Sequence, residues 1–199
     1  MLRKFVYPAL AVCCLASLVS TGYAQKWEIH PYAGGFFPGS TDFAGDFKGE
    51  GIYGLKGSVN LTDAFELEGN FGYINHFEPE GLDPESRGLL WEAAGNLQFP
   101  LGRLQPFVTA GIGGMTAIVD SDVLDPNASG DESADFFGNR LDDGDTFFMF
   151  SYGGGLKAER LWGPVGLRAD IRGRTLPNIF GDSMTWLETT GGVTLSWGE

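Results

Sequence analysis

The sequence has almost no cysteine: Cys13 and Cys14 are its only two, in a chain of 199 residues. Disulfide bonds therefore cannot hold the rest of the chain together. Beyond residue 24 there is also no apolar run long enough to cross a membrane as a helix. Bases are scarce, with 13 Lys and Arg against 26 Asp and Glu, and this balance argues against a nucleic-acid partner.

The N-terminus has the layout of a secretory signal peptide. Arg3 and Lys4 precede an uncharged stretch, residues 5–20, and small residues lead to Ala24. We predict that residues 1–24 are a cleaved signal peptide and that residues 25–199 form the mature domain. An uncleaved anchor or a lipoprotein is disfavoured, because the apolar run is short and Val12 precedes Cys13. Two of the 13 bases precede the cut, so 11 bases face 26 acids and the mature charge is −15.

From residue 25 onward, segments of about ten residues alternate between apolar and polar side chains, a length that lets a tilted strand cross a bilayer. The predicted strands are residues 26–37, 51–61, 65–77, 88–99, 104–118, 146–159, 165–176 and 185–197. Tight connections at 62–64, 100–103 and 160–164 alternate with longer links at 38–50, 78–87, 119–145 and 177–184. This plan predicts an all-β, eight-stranded antiparallel up-and-down transmembrane β-barrel with both termini at the short-turn end.

The segment from Val165 to Thr175 shows the alternation most clearly. Val165, Leu167, Ala169 and Ile171 share one parity and are apolar. The opposite parity carries Arg168, Asp170, Arg172 and Arg174. Successive side chains of a strand point to opposite faces, so one face is fully ionic. We predict that this face lines a narrow lumen, together with charges of the same parity on other strands. The predicted lumen charge network is Glu28, Lys56, Glu66, Glu68, Glu92, Lys157, Arg168, Asp170, Arg172, Arg174 and Glu188.

Aromatic residues near the predicted strand ends favour an outward apolar face over an inverted, soluble barrel, because headgroup interfaces select two aromatic belts. At the short-turn end the belt is Trp27, Phe65, Phe99, Trp162 and Trp197, and at the long-loop end it is Phe37, Tyr53, Tyr73, Trp91, Phe148, Phe150 and Trp186.

The last strands resemble those of small OmpA-like outer-membrane β-barrel domains. The resemblance rests on residues 148–157 (FMFSYGGGLK), residues 166–172 (GLRADIR) and the closing strand 191–197 (GGVTLSW). The closing strand is similar to the family's C-terminal assembly signal, except that Gly198 and Glu199 follow Trp197. The resemblance implies insertion into the outer membrane by the insertion machinery. No peptidoglycan-binding domain follows the predicted barrel, so an envelope-tethering role is not implied.

The two histidines are the first candidates for chemistry. His30 shares the parity of Glu28, which predicts a hydrogen bond in the lumen. His76 ends the third predicted strand at the outer rim, where a lipid A-modifying enzyme would need a partner serine, and no local pattern supplies one. Gly111–Gly114 falls within a predicted strand, which favours close backbone approach over phosphate binding. We therefore predict no enzyme and no organic cofactor.

The third long link is strongly acidic and contains half of a calcium-binding pattern. Oxygen-bearing side chains alternate before and after a glycine. The twelfth position of the pattern is Phe136, so a solvated acidic loop is favoured over a calcium site. The candidate calcium ligands are Asp125, Asn127, Ser129, Asp131 and Asp135.

These patterns predict a surface or envelope-structural barrel with a charge-plugged lumen, whose specificity lies in four outer loops. The predicted partners are outer-membrane lipid, lipopolysaccharide and the insertion machinery. For the acidic loop, divalent ions that link it to lipopolysaccharide phosphates are an intermediate case between a calcium site and a solvated loop. A narrow pore and a lipid A-modifying enzyme are the alternatives.

Overall fold

The computed structural model of the chain describes residues 26–38, 49–75, 86–119, 146–179 and 182–198. Its strands are β1 (Trp27–Pro38), β2 (Glu50–Asn60), β3 (Phe65–Ile74), β4 (Ser86–Gln98), β5 (Leu104–Val119), β6 (Thr146–Trp162), β7 (Val165–Ile179) and β8 (Asp182–Trp197). Each strand pairs antiparallel with the next, and β1 pairs with β8, so the sheet closes into a barrel. The predicted fold class is confirmed. Among the described residues, no helix is long and apolar enough to cross a membrane.

The largest differences between predicted and observed strand ends occur at three places. β6 runs to Trp162, three residues past its predicted end at 159, so the predicted tight connection at 160–164 is reduced to residues 163 and 164. The third strand ends at Ile74, three residues early. The predicted long link at 177–184 is wrong, because β7 runs to Ile179 and β8 begins at Asp182. A register shift between Leu176 and Ile179 lets the two strands stay paired there. Such an irregularity adds residues to one strand without ending the ladder, which simple alternation does not reveal.

The three tight turns lie at the predicted connections, with the β6–β7 turn shorter than predicted, and they use local chemistry. In the β2–β3 turn, the Thr62 hydroxyl accepts hydrogen bonds from the backbone N–H groups of Ala64 at 3.3 Å and Phe65 at 3.0 Å. Gly102 in the β4–β5 turn and Gly163 in the β6–β7 turn have φ angles of 69° and 65°. Glycine adopts this left-handed region without steric cost, so these residues close the hairpins.

The two faces of the barrel wall have opposite composition. On β7, Leu167 and Ile171 are exposed on the outer face, whereas Arg168 and Arg172 are buried. The same alternation holds on β3, where Phe71 is exposed and Asn70 is buried. The outer wall is therefore apolar, and the polar face of each strand points into the barrel.

Candidate functional site in the barrel lumen

The eleven charged residues of the predicted lumen network all lie inside the barrel, with at most 5% of each residue exposed. They come from β1, β2, β3, β4, β6, β7 and β8. Because every strand turns one face inward, residues that are far apart in sequence meet across a narrow space. Burial of so many charges is tolerated only when each is paired and hydrogen-bonded.

The centre of the network joins opposite walls of the barrel. Arg172 on β7 binds Glu68 on β3 at 2.6 Å and Glu92 on β4 at 3.2 Å. Arg168 binds the other oxygen of Glu68 at 2.7 Å and lies 3.9 Å from Glu66. Since β3 and β7 are four strands apart in an eight-stranded barrel, these ion pairs run across the lumen.

Asp170 lies between Arg168 and Arg172 on β7 and pairs with both. Its carboxylate accepts from Arg168 at 2.8 Å and from Arg172 at 3.1 Å, and it lies 3.2 Å from the Lys56 Nζ. The Lys56 ammonium also lies 4.5 Å from the centre of the Tyr32 ring, a cation–π contact. Lys56 on β2 is thereby held against both β1 and β7.

Tyr32 needs two glycines beside it. A Cβ atom on Gly54 or Gly72 would lie 2.7 Å or 2.6 Å from the Tyr32 hydroxyl oxygen, which is too close. Without those side chains, the hydroxyl reaches Asn70 and donates to its Oδ1 at 2.9 Å. Glycine therefore creates room in the lumen for a large side chain.

Neutral amides complete the coordination of the buried acids. The Asn96 amide donates to Glu66 at 2.7 Å and to Glu68 at 3.0 Å, and Gln98 donates to Glu66 at 2.7 Å. Asn70 donates to Glu92 at 3.1 Å. These donors satisfy carboxylate oxygens that would otherwise be buried without a partner.

At the short-turn end the network reaches the barrel mouth. Lys157 lies 2.8 Å from Glu28 and also contacts Glu66. Lys26 bridges Glu28, at 2.7 Å, and Glu159. The side chains of Lys26 and Glu159 are each 13% exposed, whereas that of Glu28 is fully buried. Of these charges, only Lys26 and Glu159 are therefore reached by solvent from this end.

His30 lies beside this mouth and makes the lumen hydrogen bonds predicted from its parity. Its Nδ1 lies 2.7 Å from the Thr194 hydroxyl, and its Nε2 lies 3.2 Å from Glu28 and 3.4 Å from the Ser58 hydroxyl. Ser58 and Glu28 both contact the same ring nitrogen, Nε2. In a catalytic triad the serine and the acid instead contact opposite nitrogens of the imidazole. The arrangement holds the imidazole in place and does not activate Ser58.

Toward the long-loop end the inner face becomes apolar, and Arg174 marks the boundary. Arg174 binds Glu188 at 2.7 Å and Glu92 at 2.7 Å, and its Nη1 lies 3.8 Å from the Met149 sulfur. Above it, each of the eight strands contributes at least one side chain that is at most 2% exposed. We call this set the apolar layer: Phe36, Ile52, Ile74, Leu90, Met115, Met149, Leu176, Met184 and Trp186.

The alternation pattern does not predict this layer, and it places Trp186 in the outer aromatic belt. That assignment is wrong, because Trp186 is 2% exposed and shares the inward parity of Glu188 and Met184. Its ring packs 5.2 Å from the Phe36 ring at a tilt of 55°. The available signal was the parity itself, since on the strands that carry lumen charges the inward positions change from charged to apolar near the long-loop end.

The other belt residues are placed much as predicted. The five at the short-turn end are exposed, as are Phe37, Tyr53, Trp91, Phe148 and Phe150 at the other end. Tyr73 is partly exposed and its ring lies 5.4 Å from that of Tyr53. These rings line the outer wall near the strand ends, where a bilayer has its headgroup regions.

The remaining candidates lie outside the described residues. They are His76 and the calcium ligands Asp125, Asn127, Ser129, Asp131 and Asp135. Calcium binding by the acidic loop stays a prediction. Within the segments that the structure describes, no group of His, Cys, Asp and Glu is arranged to hold a metal ion.

Comparison with known proteins gives one family and several similar structures. The model of a family described as the outer membrane protein beta-barrel domain matches residues 11–195. Neisserial surface protein A superimposes with a TM-score of 0.63 at 12% identity, covering 87% of this chain and 99% of its own.

Two further solved structures have the same architecture. The attachment invasion locus protein Ail of Yersinia pestis, in complex with the heparin analogue sucrose octasulfate, has a TM-score of 0.55 at 13% identity and covers 88% of this chain and 100% of its own. The N-terminal β-barrel domain of Pseudomonas aeruginosa OprF has a TM-score of 0.52 at 19% identity, covering 86% and 97%. At these identities the likeness concerns the fold alone. A comparison with curated proteins finds no match.

Proposed function

The chain belongs to the outer membrane protein β-barrel domain family, and on that premise we propose that it is a non-catalytic surface barrel with a closed lumen. The family confirms the predicted resemblance to small OmpA-like barrels and the outer-membrane location. In this proposal the barrel anchors its outer loops in the membrane, and the loops make the specific contacts. One observation carries it: two successive layers of buried side chains, one charged and one apolar, point into the lumen.

The first layer, formed by the charges, supports closure because its ion pairs span the barrel. A passing ion would have to separate pairs such as Arg172 with Glu68, which are 2.6 Å apart and buried. Removing one partner from a buried pair is strongly unfavourable, since the other charge is left in a low-dielectric site. The same pairing supports a non-catalytic role, because the buried acids are already bound to bases or amides.

The second layer supports closure by a different mechanism. An apolar constriction excludes water, and an ion cannot shed its hydration shell to cross it. Leu90, Ile74 and Met149 are each 0% exposed, which supports a constriction from which water is excluded. We infer that either layer alone blocks ion flow.

The proposed contacts with partners lie at the two ends of the barrel. Long connections at residues 39–48, 76–85 and 120–145 join strands at one end, and loops on a rigid scaffold commonly carry binding specificity. The adjacent outer leaflet would bring these loops next to lipopolysaccharide.

The proposal also includes the route to the membrane. The chain is exported and cleaved after Ala24, and the insertion machinery recognises β8. The mass of the mature protein tests the cleavage.

The proposal is tested by planar-bilayer conductance of protein refolded in detergent, with heat-modifiable gel migration as the measure of folding. We expect no discrete current steps from the wild-type barrel. Glu92→Gln weakens the charged layer, and Leu90→Ser with Met149→Ser weakens the apolar layer. Each of these variants should stay silent, whereas the combined triple variant should conduct.

The matched control is Asp63→Asn, which also neutralises one acid but in the β2–β3 turn outside the lumen. It should be silent alone and should not add conductance to the apolar-layer variant. Discrete steps from folded wild-type protein would contradict the closed lumen and favour the narrow pore. Conductance of the Glu92→Gln variant alone would show that the apolar layer does not seal.

A further inference from the structure

Two neighbouring short turns carry exposed arginines next to large exposed apolar side chains. The β4–β5 turn presents Leu101 and Arg103, followed by Leu104, and the β6–β7 hairpin presents Arg160 and Trp162. We call these five residues the arginine patch. The two turns are adjacent because β5 pairs with β6, and the Glu159 N–H donates to the Arg103 carbonyl at 2.8 Å.

The apolar members of the patch are among the most exposed in the described structure. Leu101 and Trp162 are each 68% exposed, and Leu104 is 49% exposed. They continue the outer wall beyond Phe99, which is 50% exposed and belongs to the aromatic belt at this end. The patch therefore lies where the hydrocarbon of a bilayer gives way to headgroups.

The charge of the patch is opposite to that of the chain. The sequence has twice as many acids as bases, 26 against 13, yet both turns expose an arginine. Among the described residues, neither arginine side chain has an ion-pair partner, since nearby Glu159 binds Lys26. Most other described bases are buried in the lumen, so these two guanidinium groups are available to an external anion.

A backbone irregularity sets the position of Arg160. The pairing of β6 with β7 shifts register between Ala158 and Trp162, and Arg160 has a φ angle of 48°. A bulge of this kind re-aims side chains at the rim of a barrel. The third short turn differs, because it contains Asp63 and its donors are bound by Thr62.

We propose that the arginine patch binds the headgroup of an anionic phospholipid in the periplasmic leaflet. Guanidinium groups donate paired hydrogen bonds to phosphate oxygens, which suits Arg103 and Arg160. Trp162 then lies at the level of the headgroup, and Leu104 contacts the start of an acyl chain. The proposal requires only a membrane-spanning barrel with its short turns at the periplasmic end, so it is independent of the closed lumen.

The test compares lipid retention by native mass spectrometry after refolding into mixed phosphatidylglycerol and phosphatidylcholine vesicles. We expect the wild-type protein to retain phosphatidylglycerol preferentially. The double variant Arg103→Gln with Arg160→Asn should lower that preference about 25-fold. Each base near an anionic surface contributes about fivefold to the affinity, and the two factors multiply. Asparagine is chosen at residue 160 because it tolerates a positive φ angle.

Two controls distinguish the patch from a general charge effect. Arg87→Gln removes the same charge at the opposite end of the barrel and should leave the preference unchanged. Trp162→Ala should reduce retention of both lipids while their ratio stays the same. Equal lipid ratios for wild type and the double variant, or an equal fall with Arg87→Gln, would overturn the proposal.

Discussion

The charged and apolar layers lie in the same lumen but are held by different interactions. In the charged layer, directional hydrogen bonds and ion pairs fix the side-chain positions. Arg168 donates to Asp170 from Nε at 2.9 Å and from Nη2 at 2.8 Å, and Asp170 also contacts Lys56. In the apolar layer, the side chains are positioned by close packing of their shapes; Phe36, for example, packs on Trp186. A one-residue slip in strand register would therefore cost the charged layer far more. It would turn buried, paired charges outward into lipid, whereas the side chains of the apolar layer would move into another apolar environment.

The largest expected effect comes from removing a central base. Arg172→Ala leaves Glu68, Glu92 and Asp170 short of a partner inside the barrel. We expect the free energy of unfolding to fall by about 3–5 kcal/mol, because an uncompensated buried charge remains. Urea unfolding of the refolded barrel measures it. Arg103→Ala, an exposed turn residue, is the control and should change stability by less than about 0.5 kcal/mol; similar losses for both would contradict the central role of Arg172.

A smaller effect is expected from the apolar layer. Leu90→Ala removes buried methyl groups next to Met115 and Ile74 but leaves no charge unpaired. The expected loss is about 2–4 kcal/mol, depending on how far neighbouring side chains fill the cavity. Unlike the loss from Arg172→Ala, it should not depend on salt concentration. Leu90→Met, which keeps the volume, should lose less than about 1.5 kcal/mol. A Leu90→Ala barrel as stable as wild type would mean that the layer is loosely packed.

The smallest effect is expected on the outer wall. The Thr175 and Thr185 hydroxyls lie 3.1 Å apart on β7 and β8, in a cross-strand pair at the long-loop end. Thr175→Val should reduce stability by about 0.5 kcal/mol, a typical value for such a pair. The double variant with Thr185→Val measures the coupling by a mutant cycle. A loss as large as that of Leu90→Ala would show that the outer wall contributes as much as the lumen.

Much of the barrel could be predicted from local pattern. The alternation in Val165–Thr175 requires a two-faced strand, and the turn residues around Gly102 and Gly163 mark where hairpins close. The inward parity of Glu28 and Glu188 follows from the same rule. The extension of β7 to Ile179 could not be predicted this way, because a register shift interrupts the period of two.

Sequence alone therefore determined the number of strands, their two faces and the membership of the lumen charges, since these depend on a period that each segment contains. Only the tertiary structure decided which charges meet. Glu68 and Arg172 are 104 residues apart and lie on opposite walls, and their contact depends on barrel closure and the stagger of all eight strands. The same closure put Trp186 inside the apolar layer, because a side chain that faces inward has no other place to pack.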